Sequence, residues 1–489
     1  MHSSIFVHHT LANKMKHLVT ILSLTFLCSV VFAQQNKFTG TWEGDLDAGM
    51  QKLRLVFDIR ETSAGHIKLT MQSPQQSAMQ MPADTAFING ETIGMEMTKF
   101  NISFSGKLLN DTIIAGEFIQ GAAFPLQLKK VEKASAVSKP KRPQTPKPPF
   151  TYKSIDVSFN NKNKSINFGA TLTLPDTSGL QKYPAVILIS GSGAQDRDET
   201  ILGHKPFAVI ADHLTKNGFA VLRVDDRGVG KTSGNHTTAT SADFADDAEA
   251  ALDFLQTNKW INPKQVGLIG HSEGGMIAPL LASRRKDIKA IVLLAGPGIT
   301  GAKLLTEQNV AISKSNGTPA AVADSFGLLF ENITQAIVMA KDSTAAKQNI
   351  KQLVQKWNVG DGTKKLFKLN TLNDIEAYTL EITHQLFSPW FKYFLSYNPA
   401  QALSGLQCSV LALNGSKDLQ VLPQSNLAGI RKALNKSKSK SYEVKEIDGV
   451  NHLFQTCNKC SLDEYATLEE TFSPAVLEIM NKWLQQNLK

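Results

Sequence analysis

Apolar and polar residues alternate in short, turn-broken runs from Phe38 to Val131, as in Lys52-Leu53-Arg54-Leu55-Val56-Phe57-Asp58-Ile59 and Ile102-Ser103-Phe104-Ser105-Gly106. A period of two predicts strands with one buried face. Several such runs in succession, with no helical period between them, predict an antiparallel meander or small barrel over residues 36–131. Trp42, Phe57, Phe100 and Phe124 supply either its core or a binding face. Beyond Phe150 the period changes. Apolar runs at Ala185–Ile189, Ala220–Val224, Val266–Ile269 and Ala290–Leu294 alternate with helical patterns at Phe207–Lys216 and Ala242–Gln256. That order predicts a mostly parallel sheet with helices on both faces, and ligands then sit beyond the carboxyl ends of its strands. From Gly298 to Ala400 the strand pattern stops and helical stretches such as Ala320–Ala340 and Ser343–Trp357 take over. A cap insertion at about 299–400, lying over the carboxyl edge, is the expected result. Phe387, Trp390, Phe391, Tyr393 and Phe394 either line the way into a site or pack the cap against the sheet.

Composition sharpens the domain plan. A chain of 489 residues is too long for one ordinary domain. Between the two patterned regions runs Ser138-Lys139-Pro140-Lys141-Arg142-Pro143-Gln144-Thr145-Pro146-Lys147-Pro148-Pro149. Proline fixes φ and lacks an amide donor, so residues 132–149 read as an extended, semi-rigid linker and the second domain as 150–489. The formal charge of +9 suggests nucleic acid only until it is located. Lys14 and Lys16 near the start, and seven basic residues against Glu132 in 129–150, leave +1 for everything else. Nucleic acid is therefore not an expected partner; the basic run is read as solvated, with weak attraction to an anionic envelope surface as the alternative.

Residues 1–33 read as a secretory signal, because the two lysines precede the apolar run Leu18–Phe32 and Val31-Phe32-Ala33 supplies small residues around a cleavage point. No later run approaches the roughly 20 apolar residues of a membrane span. Export to the periplasm or outside the cell, after cleavage near Ala33 and without an integral span, is the expectation. Cys28 leaves with the signal, and the remaining Cys408, Cys457 and Cys460, an odd number, argue against a disulfide framework. Cys457-Asn458-Lys459-Cys460 is read as structural, with a short redox-sensitive bridge as the other reading and little case for zinc.

The chemistry gathers at Gly270-His271-Ser272-Glu273-Gly274-Gly275, between the strand Val266–Ile269 and the apolar helix that begins at Met276. A Gly-x-Ser-x-Gly turn in that setting thrusts its serine above the sheet, and side chains at 270 and 274 would collide with the neighbouring strand and helix. A serine hydroxyl is a weak nucleophile, so it requires a base, and the base requires a partner that fixes its tautomer. Asp418 closes the strand and turn Val410-Leu411-Ala412-Leu413-Asn414-Gly415-Ser416-Lys417-Asp418, and His452 follows Glu446-Ile447-Asp448-Gly449-Val450-Asn451. The order serine, acid, histidine makes Ser272 the nucleophile, Asp418 the orienter and His452 the base. Asp448 sits in the strand end and would have to fold back to compete; His271 is expected to pack below the serine. An oxyanion needs two fixed amides. Glu273 N–H is one, and in Ile189-Ser190-Gly191-Ser192-Gly193-Ala194 the Ser192 N–H is the other, with Gly193 in reserve. Asp196-Arg197-Asp198 and Asp225-Asp226-Arg227 are read as ion pairs holding that loop. The Glu273 side chain, at a helix N-terminus, is a candidate partner for a cationic substrate group.

Over about 150–489, these motifs, together with Asp225-Asp226-Arg227-Gly228-Val229-Gly230, Asn414-Gly415-Ser416-Lys417-Asp418 and Asn451-His452-Leu453-Phe454-Gln455, resemble the α/β-hydrolase superfamily. Within it the chain is similar to secreted bacterial hydrolases of the serine aminopeptidase-like and dienelactone-hydrolase-like kinds. The resemblance implies an α/β-hydrolase fold with a helical cap behind a small antiparallel β domain. It also implies acyl transfer to water through an acyl-enzyme, with no metal and no organic cofactor. Two departures set it apart from prolyl-oligopeptidase-type enzymes: Glu273 replaces the usual tyrosine, and the amino-terminal domain is far too short for a propeller. The first reading is a carboxylic-ester hydrolase for small to medium acyl groups. The second is an exo-peptidase or amidase acting on short peptides with the same triad. The third is a hydrolase-like protein that binds envelope glycan without catalysis.

Overall fold

The computed structural model describes residues 36–489 apart from 48–51, 63–64, 75–79, 99–101, 121, 135–140, 177, 180, 358–359, 361–363, 365–368 and 370. The expected signal, with Cys28, and Phe100 therefore lie outside the described residues. The chain divides into two compact units, Met1–Val137 and Ser138–Lys489.

In the first unit the alternating runs become β1 (Gly40–Asp47), β2 (Lys52–Glu61), β3 (Ile67–Gln72), β4 (Met81–Pro82), β5 (Thr85–Asn89), β6 (Thr92–Met97), β7 (Ile102–Asn110), β8 (Ile113–Gln120) and β9 (Ala122–Val131). All pairings are antiparallel, in the order β4-β3-β2-β1-β9-β8-β7-β6-β5. The two ends of that order are adjacent in sequence. Ala83 N–H donates to Leu69 of β3 and Asp84 N–H to Glu96 of β6, so the 81–89 segment bridges both edges and closes the sheet into a barrel. Closure removes unpaired strand edges. Trp42, Phe57, Ile59, Met95, Phe104, Phe118 and Leu128 fill the interior, and the Trp42 indole N–H donates to Phe38 O at 2.7 Å. Of the four aromatics singled out from sequence, Trp42 and Phe57 are fully buried and Phe124 packs against the same core.

The second unit is built on β10 (Lys153–Asn160), β11 (Asn167–Leu174), β12 (Tyr183–Ile189), β13 (Ala220–Val224), β14 (Ile261–His271), β15 (Ala290–Leu294), β16 (Ser409–Gly415) and β17 (Tyr442–Ile447). They lie in the order β10-β11-β13-β12-β14-β15-β16-β17, antiparallel only where β10 meets β11 and β11 meets β13. The strands are continuously apolar because both faces are covered. Ala185, Ile187 and Ile189 of β12 face one core while Val186 and Leu188 face the other, and Ile291 and Val292 of β15 divide in the same way. Helices α1 (Pro206–Lys216), α2 (Ser241–Thr257) and α3 (Gly274–Arg284) connect the central strands; α1 packs on one face, α2 and α3 on the other. Observed and expected boundaries differ by a residue or two at most of these elements, and most at β14, which starts at Ile261.

After β15 come the cap helices α4 (Gly301–Ser315), α5 (Ala320–Met339), α6 (Ser343–Lys356), α7 (Leu372–Leu386), α8 (Pro389–Ser396) and α9 (Pro399–Ser404). The cap has its own core, formed by Phe330, Ile333, Ile337, Ile350, Leu386 and Leu395. The five cap aromatics divide between two packing roles. Phe387 and Phe391 pack into the cap core, while Trp390, Tyr393 and Phe394 join the sheet's core, with Trp390 stacked on Phe394 at 5.1 Å. Two further helices, α10 (Pro423–Leu434) and α11 (Pro474–Asn487), complete the two faces. Among the described residues no helix is long and apolar enough to cross a membrane.

Because Trp42 is both fully buried and hydrogen-bonded, Trp42→Ala is expected to destabilise the first unit by about 3–5 kcal/mol. Denaturant unfolding of the whole chain should show one transition moved to lower denaturant.

Candidate active site

Ser272 sits at the end of β14 with φ of +52°, in the left-handed region that non-glycine residues avoid. The surrounding backbone imposes it. A Cβ on Gly270 would lie 2.0 Å from Gly274 O, and one on Gly274 would lie 2.1 Å from Ile189 O. Ser272 N–H donates to Leu294 O at 2.8 Å, so the neighbouring strand fixes the turn, and Gly275 N–H donates back to Ser272 O. Strain of this kind persists only where the surroundings over-determine it, and it clusters at functional positions.

Asp418 follows β16 and His452 follows β17, so both stand at the same carboxyl edge as Ser272. His452 Nδ1 is 2.8 Å from Asp418 Oδ2, and both residues are buried. The other oxygen, Asp418 Oδ1, accepts from Gln420 and Val421 N–H at 2.8 and 2.9 Å, which orients the carboxylate. Asp448 turns elsewhere and accepts from the Ser416 hydroxyl. Gly191 N–H, at the start of the loop after β12, donates to Glu199 Oε1 at 2.7 Å, which leaves the next amide, Ser192 N–H, as the candidate from this loop.

The charged loops hold this edge by pairing. Arg197 clamps Asp225 with Nε and Nη2 at 2.9 and 2.6 Å, and Arg227 clamps Asp247 with two contacts of 2.7 Å. Asp226 Oδ1 accepts from the Ser190 hydroxyl at 2.7 Å, and Oδ2 from Gln195 N–H at 2.9 Å. Burial is the largest influence on this carboxyl and pushes it up to about 7. Beside it, between the end of β12 and α2, lies a small cavity of about 50 Å³ lined by Phe168, Ser190, Asp226 and Phe244.

One expectation requires correction. Glu273 does not present its carboxyl to a cationic group. It is 2% exposed, and Oε1 accepts from Ser241 Oγ at 2.5 Å and from the Trp390 indole at 2.8 Å. Burial raises its pKa, opposed by those two donors. The helix N-terminus gave a favourable field, but the cap covers the position, and desolvation outweighs a surface-type dipole effect.

Sequence reasoning missed three contributors. Glu199 was not singled out, yet it is 4% exposed and bonded to Gly191 and His271. Arg142 and Gln144 fall in the stretch read as linker, but they are tied down within the second unit. Arg142 donates to Leu468, Ala466 and Leu202 carbonyls, while Gln144 accepts from Thr471 and Phe472 N–H and donates to Phe472 O. These bonds fasten the stretch that follows His452. Within it Cys457 and Cys460 form a disulfide, and Glu464 accepts from the Asn458, Lys459 and Cys460 amides. Cys408 is free and buried.

Residues 205–362 match the family model described as serine aminopeptidase, S33. Over 173 residues the chain is 31% identical to Esterase EstD of Thermotoga maritima, covering 35% of this chain and 40% of that one. The matched stretch thus spans less than half of that relative. An uncharacterized 31.7 kDa protein of Escherichia coli is 22% identical over 325 residues, 65% of this chain and 96% of the other. A Pyrococcus furiosus esterase of known structure is similar with a TM-score of 0.43 at 14% identity, over 69% of this chain and 93% of that chain. With the strand order, the strained serine turn and the family match together, the fold is decided. The chain has the α/β-hydrolase fold. Ser272, Asp418 and His452 follow β14, β16 and β17 at one edge of its sheet.

Two expected outcomes test this geometry. Gln144→Ala, which leaves the Thr471 and Phe472 backbone groups without a partner, should destabilise the hydrolase unit by about 1–3 kcal/mol, read as a lower melting temperature. For Asp226, a raised folded-state pKa means that stability is fully present below the unfolded value of 3.8 and is lost as pH rises towards about 7. Asp226→Asn should abolish that decline, so unfolding measured from about pH 4 to about pH 7 should show the variant gaining on the wild type throughout.

Proposed function

We propose that this protein is a serine hydrolase that cleaves carboxylic esters of small to medium acyl groups. Ser272 attacks the carbonyl, His452 takes its proton, and Asp418 holds the imidazole with Nε2 free to act. The carrying observation is the buried 2.8 Å contact between His452 Nδ1 and Asp418 Oδ2 at the sheet edge that also holds Ser272 in its strained turn. The amides of Glu273 and Ser192 serve as the oxyanion hole. The acyl-enzyme forms as the C–O bond breaks, the leaving alcohol takes the proton from His452, and water reverses the sequence to release the acid.

Two observations favour esters. The relative matched over 173 residues is an esterase. The Glu273 carboxyl, the one group singled out for a substrate's free amino terminus, is held by Ser241 and Trp390 beneath the cap. The exo-peptidase reading rests on the description of the family model alone. We also read residues 1–33 as an export signal; the Cys457–Cys460 disulfide suits an oxidising compartment.

A fluorophosphonate probe should add once to the mature wild-type protein and not to Ser272→Ala or His452→Ala, as read by intact mass. Either substitution should lower ester turnover by at least about 10⁴-fold. Faster turnover of aminoacyl amides than of matched esters would replace the esterase reading by the peptidase one. Full activity in Ser272→Ala would remove both.

A further inference from the structure

His271 lies inside the serine turn, is 6% exposed, and takes no part in the proposed proton transfers. Its Nε2 is 3.0 Å from the backbone carbonyl of His452, and its Nδ1 is 2.9 Å from Glu199 Oε1. A carbonyl oxygen only accepts, so Nε2 carries a hydrogen. The same Glu199 oxygen accepts from Gly191 N–H at 2.7 Å. One side-chain pair therefore reaches the oxyanion loop at one end and the backbone of the proposed base at the other.

We propose that His271 and Glu199 are positioning residues, held as a buried imidazolium–carboxylate pair that locks the oxyanion loop and the His452 loop to each other beneath Ser272. The inference rests on the reading of Ser272 and His452 as the reacting pair. With hydrogens on both ring nitrogens, His271 donates to Glu199 and to the His452 carbonyl at once. Without the second hydrogen, the Nδ1 lone pair would face a carboxylate oxygen at 2.9 Å and the bridge would open. Burial works against charging the ring, but the charge and hydrogen bond of Glu199, with smaller help from the His452 carbonyl and Asp418, raise its pKa.

The groups facing the pair come from four loops. His452 and Asp418 follow β17 and β16, with the two imidazole rings 4.9 Å apart. Asp226 follows β13, and Glu273 follows the serine; Asp226 feels both Glu199 and Glu273. Glu199 itself is aimed by its loop. Asp196 accepts from the Asp198 and Thr200 amides, and Glu199 adopts a left-handed φ of +52° between them. Neither residue of the pair bonds the His452 ring or the Ser272 hydroxyl, so their effect passes through backbone placement. Misplacement of that kind weakens the transition state more than substrate binding.

The test pairs a spectrum with kinetics on the full mature chain. In ¹⁵N–¹H correlation of the histidine rings at about pH 8, above the ordinary histidine pKa of about 6.5, His271 should show two ring N–H groups. Glu199→Gln should leave it with one. His271→Gln should lower kcat on the order of 100-fold with KM within about twofold, while the fluorophosphonate still adds stoichiometrically, more slowly, to Ser272. A single ring N–H on His271 in the wild type, or an unchanged kcat in His271→Gln, would overturn the proposal. The wild-type spectrum decides even where a variant fails to fold. If the probe labels wild-type Ser272 but His271 carries one N–H, the pair falls and the hydrolase reading stands. If Ser272 is unreactive while His271 carries two, the hydrolase reading falls and the pair no longer positions a reaction.

Discussion

Three pieces of backbone approach one another at residues 270–275 so closely that no side chain fits between them, and the proposed chemistry depends on that approach. Gly274 lies against Ile189 at the end of β12, Gly270 lies against Gly274, and a Cβ on Gly275 would come within 2.6 Å of Gly296. The end of β12, the end of β14 and the segment after β15 are thereby fixed to a common point. Ser272 has no unstrained conformation available there, and its left-handed φ follows from the crowding. The arrangement is pre-organised in that the turn, the candidate amides and the Asp418–His452 pair belong to the folded state.

Around this point the unit buries more acid than its core would suggest. Glu199, Asp225, Glu273 and Asp418 are all buried at the carboxyl edge, and each meets a different answer to the cost of desolvation. Asp225 has Arg197, Asp418 has backbone amides and His452, and Glu199 has His271 and Gly191. Glu273 has only neutral donors, and its affinity for a proton rises accordingly.

Much of the fold was legible because it follows from local periods. Period-two alternation marks the barrel strands, and continuous apolar runs between amphipathic segments mark the parallel sheet. The placement of Ser272, Asp418 and His452 at one sheet edge was legible for a related reason: each follows a strand end by a few residues, so its place is set by local sequence. Glu199 was not, because Asp196-Arg197-Asp198-Glu199 has the composition of a hydrated loop and its burial comes from His271, 72 positions away. Arg142 and Gln144 were hidden in a Pro- and Lys-rich stretch, and their partners lie more than 300 residues along the chain. Glu273 was misread because a local electrostatic argument cannot see the cap residue Trp390, 117 positions on, that covers it.

In the proposed reaction Ser272 presents its acyl group to the amides of Glu273 and Ser192. A crystal structure of the wild-type protein after reaction with a phosphonate ester tests it most directly. Phosphorus is expected on Ser272 Oγ, with the phosphoryl oxygen about 2.7–3.1 Å from both amide nitrogens and His452 Nε2 beside the leaving-group position. Phosphorus on another residue, or an oxygen turned away from both amides, would contradict it.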